Sequence, residues 1–305
     1  MSSAIIAIFS MYIFILLGFM AKKIFTKDIH SKTLNLLSVY ILQPFLTFWG
    51  LMQRPIDSSF VQAPLWYLSI VILVLLLTYP IIKALFKEPQ ERSIGSIAAV
   101  IGNTGNLGIP LSIAIFGVSS VAIVTLINLM NIFVVYTIGV YIYSRGNFSV
   151  KASLLNILKL PILWFAILAL LANSSEVVIN EQILKMLHMG AFASMVIQLL
   201  LFGIYLQESQ IREINKRLLA WVMSMKFFII PLLTVTILSL SNLSMQVQAI
   251  ILMELFMPLA VANINIASLY GCNVSTVTVL VFVSSLLFLG LMFIYLPLIS
   301  KLYLI

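Results

Sequence analysis

Long apolar runs separated by short polar connections dominate the chain. Ten windows are apolar enough to cross a bilayer as helices, because a hydrocarbon core about 30 Å thick needs about twenty such residues. They lie at 4–21, 34–52, 65–86, 94–116, 119–143, 158–173, 186–206, 217–240, 246–271 and 274–299. The connections are too short to form a soluble domain. The pattern therefore predicts an all-α membrane protein with ten transmembrane helices.

Composition agrees with this class. Hydrophobic residues make up 62% of the chain and charged residues 9%, whereas about a quarter of a soluble domain is charged. The net charge of +8 does not indicate a nucleic-acid partner, because the basic residues lie in the short connections. The single cysteine, Cys272, excludes an internal disulfide framework. The N-terminal run lacks a basic leader and a clear cleavage site, so it is interpreted as the first span.

Lysine and arginine are distributed unevenly between the connections. Thirteen of the seventeen lie in the first, third, fifth and seventh connections, with Arg212 among them. Positively charged loops stay in the cytoplasm, so both termini are predicted to be extracytoplasmic. The expected location is the plasma membrane, which in a bacterium is the inner membrane.

Prolines recur at similar positions in the two halves of the chain. Pro80 and Pro231 lie in the third and eighth spans, 151 positions apart, and Pro110 and Pro258 lie in the fourth and ninth, 148 apart. Since five is odd, a second copy of a five-span unit would be inverted in the membrane, as in many secondary transporters. The predicted units are a first repeat at 1–145, a short cytoplasmic linker at 146–157 and a second, inverted repeat at 158–305.

The fourth span contains residues that break a membrane helix, in the segment GNTGNLGIP at 102–110. Pro110 lacks an N–H group, so the carbonyl of Asn106 loses its helical partner. The three glycines of the segment lower the cost of leaving helical geometry. In a bilayer, irregular backbone is tolerated only where it is buried in protein or lines a wet cavity. The fourth helix is therefore predicted to be broken inside the protein.

The ninth span repeats this arrangement. Pro258 frees the carbonyl of Glu254, and Asn263 and Asn265 follow. Two broken helices in inverted halves are expected to cross near the middle of the membrane. The alternative is a pair of proline kinks whose asparagines bond to neighbouring helices.

The crossing predicts a binding site. Helix N-termini attract anions, and asparagine amides can bind a carboxylate or a coupling cation. The residues predicted to bind substrate are Gln43, Asn103, Gly105, Asn106, Pro110, Pro258 and Asn263. No cofactor is predicted beyond a coupling proton or sodium ion, and a sodium site is expected near Asn103, Asn106 and Asn265.

Lys226 and Glu254 are the ionisable residues best placed inside the spans. At 1.5 Å per residue their depths differ by only about 5 Å, so an ion pair is geometrically feasible. Intramembrane charges often belong to transport pathways or proton relays, and Glu254 lies one turn before Pro258. Both residues are therefore candidates for coupling, and a structural ion pair is the alternative.

Two motifs resemble those of the auxin efflux carrier family, which includes plant auxin exporters and bacterial permeases for malate and malonate. GNTGNLGIPLSIAIFG at 102–117 resembles its fourth-span signature, and MPLAVANINIASLYG at 257–271 its ninth-span partner. VYILQPFLTF at 39–48 is similar to its second span. The resemblance covers essentially the whole chain. Ser194 departs from it, since many relatives have proline there.

The resemblance implies ten spans in two inverted repeats, distantly similar to the bile-acid/sodium symporters, with a scaffold bundle and a mobile crossover bundle. It implies that Asn103 matches a substrate-contacting asparagine and that Pro110 and Pro258 match the crossing prolines. Relatives also suggest a homodimer.

The leading hypothesis is a secondary active transporter that moves a small organic anion by alternating access. The anion would be a carboxylate such as malate or malonate, or an auxin-like acid. A channel or a structural membrane protein is the alternative. An intramembrane enzyme is least supported, because the sequence contains no HExxH helix, paired carboxylates or nucleophile with its base. The expected partners are the anion, membrane lipid and a second copy of the chain.

Overall fold

The computed structural model describes residues 2–145, 149–208 and 215–303. Residues 146–148 of the predicted linker lie outside the described residues, as does Arg212. Within these ranges the regular elements are helices. They are α1 (Ser2–Ile24), α2 (Ser31–Leu51), α3 (Ser58–Leu85), α4 (Pro89–Ile97), α5 (Thr104–Phe116), α6 (Val118–Tyr143), α7 (Val150–Leu158), α8 (Pro161–Ser174), α9 (Glu181–Glu208), α10 (Lys216–Leu238), α11 (Met245–Phe256), α12 (Ala262–Leu269) and α13 (Val274–Tyr303).

The helices follow the apolar windows of the sequence. Within the described ranges, six helices are long and apolar enough to cross a membrane: α2, α3, α6, α9, α10 and α13. The fourth predicted span is divided between α4 and α5, and the ninth between α11 and α12. The all-helical membrane class is thus confirmed. The predicted linker is partly helical, because α7 occupies most of it.

Three membrane helices widen into a π-helical turn just before a proline. In the described part of the chain these turns are Ser38–Leu42, Thr104–Gly108 and Met225–Ile229, and each is followed two positions later by a proline, namely Pro44, Pro110 or Pro231. A proline ring clashes with the carbonyl four residues earlier and cannot donate to it. A wider turn lets neighbouring N–H groups reach other carbonyls. The prolines therefore loosen these helices locally without ending them.

Polar and apolar surfaces are inverted relative to a soluble protein. Large apolar side chains such as Leu76, Phe228 and Leu232 are more than half exposed, whereas Gln198 and Asn263 are fully buried. An exterior of this kind is stable against hydrocarbon, and polar groups then find partners only inside the bundle. The interior of the helix bundle is therefore where a polar site can form.

Helices α1 and α9 pack with their backbones in contact. A Cβ atom on Gly18 would lie 2.1 Å from the carbonyl oxygen of Leu200, and one on Gly203 would lie 1.9 Å from that of Ile15. Small residues permit such close approach in membranes. Lys22 and Glu208 add an ion pair of 2.9 Å between the same helices. The two glycines therefore fix the distance between α1 and α9.

Asp57 caps the N-terminus of α3, and replacing it with alanine is expected to destabilise the protein by about 1 kcal/mol. Its carboxylate accepts a hydrogen bond from the Ser59 N–H at 2.8 Å and pairs with Arg54. Partial burial opposes ionisation, but the hydrogen bonds from Ser59 and the charge of Arg54 outweigh it and lower the pKa of Asp57. This contribution should therefore be complete above the ordinary pKa of aspartate and be lost as the pH falls through the lowered value.

The measurement is thermal unfolding in detergent at neutral and acidic pH. Asp28→Ala is the matched control, because Asp28 lies in an exposed connection. Equal effects of the two substitutions at neutral pH would contradict the capping role.

Candidate functional site

The two interrupted helices meet at their breaks. The backbone leaves helical geometry between α4 and α5 and again between α11 and α12. There the two segments pair antiparallel: the Asn103 N–H donates to the Pro258 carbonyl at 2.8 Å, and the Ala260 N–H donates to the Ile101 carbonyl at 3.0 Å. Lipid offers no hydrogen-bond partners, so each break satisfies backbone groups of the other.

Side chains of α3 and α6 support the first break. Asn131 donates from its amide to the Gly102 carbonyl at 2.9 Å and to the Thr104 hydroxyl at 3.0 Å. The Thr104 hydroxyl donates to the Asn128 carbonyl oxygen at 2.9 Å, and the Tyr67 hydroxyl donates to Asn131 at 3.1 Å. All of these groups are buried, so the network holds residues 102–104 in one conformation.

Asn263 and Ser284 support the second break. The Asn263 amide donates to the carbonyls of Ile101 at 3.1 Å and Ala260 at 3.0 Å, and its oxygen accepts from the Tyr143 hydroxyl at 3.0 Å. The Leu259 N–H donates to the Ser284 hydroxyl at 3.1 Å. Asn263, which was predicted to bind substrate, is fully buried. Its side chain therefore stabilises the crossing by these three hydrogen bonds.

A cavity of about 310 Å³ lies beside the crossing. Its lining includes most of the residues predicted to bind substrate or sodium, namely Gln43, Asn103, Gly105, Asn106 and Asn265. Pro110, Pro258 and Asn263 do not line it: Pro110 is buried in α5, and the Pro258 carbonyl pairs with Asn103. The structure thus brings five of these eight residues together around one space and places the other three in the supporting structure.

Asn103 differs from the other amides of the cavity. Its side chain is 5% exposed, and its Nδ2 atom has no hydrogen-bond partner among the described residues. By contrast, Gln43 donates from its amide to the Asn106 oxygen at 3.3 Å. A buried donor without an acceptor costs about 1–3 kcal/mol. Asn103 therefore combines a place in the cavity lining with an unsatisfied donor.

The cavity has further polar lining residues that the sequence prediction missed. They are Asn35, Asn128, Asn131 and Tyr136. Asn128 and Asn131 are three residues apart in an otherwise apolar span, a spacing that places them on one helix face. Two amides on one face of a membrane helix are the signal that could have identified them.

Lys226 and Glu254 are both fully buried, but they do not form an ion pair. In the described part of the chain, Lys226 Nζ and Glu254 Oε2 have no hydrogen-bond partner. The other carboxylate oxygen, Oε1, accepts from the Ser112 hydroxyl at 3.0 Å. The structural ion pair considered from the sequence is therefore absent. The reason is that the carboxylate packs against α5, whereas the ammonium lies near Gly102.

The fold and the cavity define a class: a helical membrane protein in which two interrupted helices cross beside a cavity lined in part by amide side chains. Comparison with known proteins specifies it further. Residues 3–152 match the family described as membrane transport protein. An uncharacterized transporter of Methanocaldococcus jannaschii is 26% identical over 284 residues, which cover 90% of this chain and 91% of that protein. The predicted resemblance to a family of membrane transport proteins is thus confirmed.

Proposed function

We propose that this protein is a secondary transporter that carries a small organic anion through the cavity at the crossing. The anion is a carboxylate such as malate or malonate, or an auxin-like acid. One observation carries the proposal: Asn103 is a lining residue of the cavity, and the buried donor of its amide has no partner among the described residues. Carboxylate oxygens are strong acceptors, so a bound anion would satisfy this donor.

The surroundings of Asn103 fit a small anion. The cavity volume of about 310 Å³ is at the small end of ligand pockets. Helix α5 begins at Thr104, so the first N–H groups of that helix lack intrahelical acceptors and favour negative charge. Neither lysine nor arginine is among the described lining residues. The groups that would contact the anion directly are therefore amides and a helix terminus.

The architecture proposed for transport is a pair of inverted five-helix repeats, residues 1–145 and 158–305, with both termini outside the cytoplasm. The backbone pairing of the two breaks supports this arrangement, because it joins α4 and α5 of one half to α11 and α12 of the other. Movement of the crossing against the remaining helices would open the cavity to one side and then to the other. We place the protein in a bacterial inner membrane, as a homodimer.

Coupling to a proton or to sodium completes the proposal. Asn103, Asn106 and Asn265 all line the cavity, so a sodium ion would bind close to the anion. The fully buried Glu254 is the candidate for a proton.

Replacing Asn103 with alanine is expected to reduce anion uptake by about fivefold to a hundredfold, because it removes a donor worth about 1–3 kcal/mol. A thermal-shift screen of malate, malonate and indole-3-acetate, with and without sodium, would first identify the anion. Uptake and counterflow of that anion would then be measured in proteoliposomes. Asn242→Ala is the matched control, because Asn242 lies in an exposed connection.

Saturable uptake with counterflow supports a carrier, and conduction without saturation would indicate a channel instead. If Asn103→Ala and Asn242→Ala transport the anion equally well, Asn103 is not part of the site.

A further inference from the structure

The ammonium of Lys226 lies directly behind one wall of the cavity. Gly102 lines the cavity, and a Cβ atom on Gly102 would lie 3.2 Å from Lys226 Nζ. Lys226 belongs to the π-helical turn of α10 that precedes Pro231, and its side chain is fully buried. Only the backbone of a glycine therefore separates a positive charge from the proposed anion site.

The carboxylate of Glu254 is held on the same crossing, against α5. A Cβ atom on Gly108 would lie 2.2 Å from its Oε2 atom, and Ser112 donates to Oε1. This packing keeps the carboxylate from reaching the ammonium. Its second oxygen, Oε2, has no partner within the described residues and can take up a proton.

Further polar groups near this pair come from α3 and α13. Tyr67 of α3 lies near the Glu254 carboxylate, and its hydroxyl donates to Asn131, which lines the cavity. Tyr295 of α13 donates its hydroxyl to the Phe227 carbonyl. Neither tyrosine carries a charge at neutral pH. The net charge at this place is therefore set by Lys226 and Glu254.

We propose that the anion binds together with one proton, which is taken up by Glu254, and that Lys226 is the fixed counter-charge. This inference rests on the proposed function and specifies the proton as the ion to which anion binding is coupled. When Glu254 is ionised, the buried pair is neutral and attracts an anion weakly. When Glu254 Oε2 binds a proton from water, the ammonium behind Gly102 is uncompensated, and a carboxylate in the cavity restores neutrality.

This arrangement makes a dissociable cation unnecessary. Two unit charges several ångströms apart interact by about 2–3 kcal/mol at the effective dielectric of a protein, which corresponds to about a hundredfold in affinity. An ammonium fixed to the chain supplies that attraction without a bound ion, as long as Lys226 is protonated. Protonation of Glu254 removes the negative charge that otherwise offsets the ammonium. Anion binding should therefore depend on pH and not on sodium.

The first experiment follows the proton by infrared difference spectroscopy of the purified protein. A carbonyl band of a protonated carboxyl should appear in the wild type as the pH is lowered, and should grow on addition of the anion identified by the thermal-shift screen. Glu254→Gln should lack this band. A band that is present in Glu254→Gln, or that does not respond to the anion, would overturn the inference.

The second experiment measures anion binding by calorimetry in buffers of different ionisation enthalpy. The wild type should take up about one proton per anion, and its Kd should rise about tenfold per pH unit once Glu254 is ionised. Glu254→Gln should bind without proton uptake and independently of pH. The double variant Lys226→Met/Glu254→Gln removes both buried charges and should bind about a hundredfold more weakly, again independently of pH.

Lys301→Met is the matched control, because Lys301 is exposed on α13, and it should behave as the wild type. If no anion of the screen binds the wild type, the proposed function fails and this inference fails with it. If an anion binds without proton uptake, or binds only with sodium, the function stands and this inference alone is wrong.

Discussion

Among the glycines in the described part of the chain, Gly203 is the one whose replacement with alanine is expected to destabilise the protein most, at about 3 kcal/mol or more. The new Cβ atom would lie 1.9 Å from the Ile15 carbonyl oxygen, and also close to backbone atoms of Phe19. Backbone cannot rotate away as a side chain can, so α1 and α9 would have to separate. Their separation would also weaken the ion pair between Lys22 and Glu208.

Thermal unfolding of the purified protein measures this effect, and the chain provides a matched control. A Cβ atom on Gly290 of α13 would meet no atom within 4 Å. Gly290→Ala should therefore be neutral or stabilise the protein by up to about 1 kcal/mol, since alanine favours helix over glycine. Equal unfolding temperatures for the two variants would contradict close backbone packing of α1 on α9.

Replacing Gly108 with alanine is expected to abolish transport and to destabilise the protein by about 1–3 kcal/mol. Its Cβ atom would lie 2.2 Å from Glu254 Oε2 and 2.6 Å from Oε1. The carboxylate is fully buried and bonded to Ser112, so it has little room to move. The substitution therefore displaces the carboxylate of Glu254, the acidic group that the described residues place at the crossing.

A double-mutant cycle tests this explanation. Glu254→Ala removes the carboxylate that the new methyl group would meet, so Gly108→Ala should cost much less in that background. The expected coupling between the two substitutions is about 1–3 kcal/mol in unfolding free energy. Additive effects would show that Gly108 is required for some other reason. Transport should stay absent in the double variant if Glu254 carries the proton.

The positions of the helices could be predicted because a helix that spans hydrocarbon needs a run of about twenty predominantly apolar residues. Each predicted apolar window coincides with a helix or, in two cases, with a broken pair. The second break was predictable, because Pro258 lies in it. The first was predicted less accurately: it lies at residues 98–103, whereas Pro110, which was expected to break the helix, lies inside α5. Helix α7 was missed because, as a short helix of mixed composition, it lacks the long apolar run that identifies a span.

The candidate site was only partly predictable. Residues adjacent to the breaks, such as Asn103 and Asn106, were found because they are polar in an apolar span. The separation of Lys226 and Glu254 could not be predicted, because counting residues along a helix gives the depth of a side chain but not the direction in which it points. Their depths allow contact, but Glu254 faces Gly108 and Lys226 faces Gly102. Helix rotation depends on packing partners, which the sequence does not state.

The shared pairing at the crossing has a consequence for biosynthesis. The Asn103 N–H cannot form its hydrogen bond until the carbonyl of Pro258, 155 residues further along the chain, has been synthesised. While the ribosome is still making the second half, the nascent first half therefore carries exposed peptide groups at membrane depth, where each costs several kcal/mol. We therefore expect an insertion factor or bound water to satisfy these unpaired peptide groups until synthesis ends. A prematurely terminated chain would keep them unpaired, and we expect membrane proteases to degrade it.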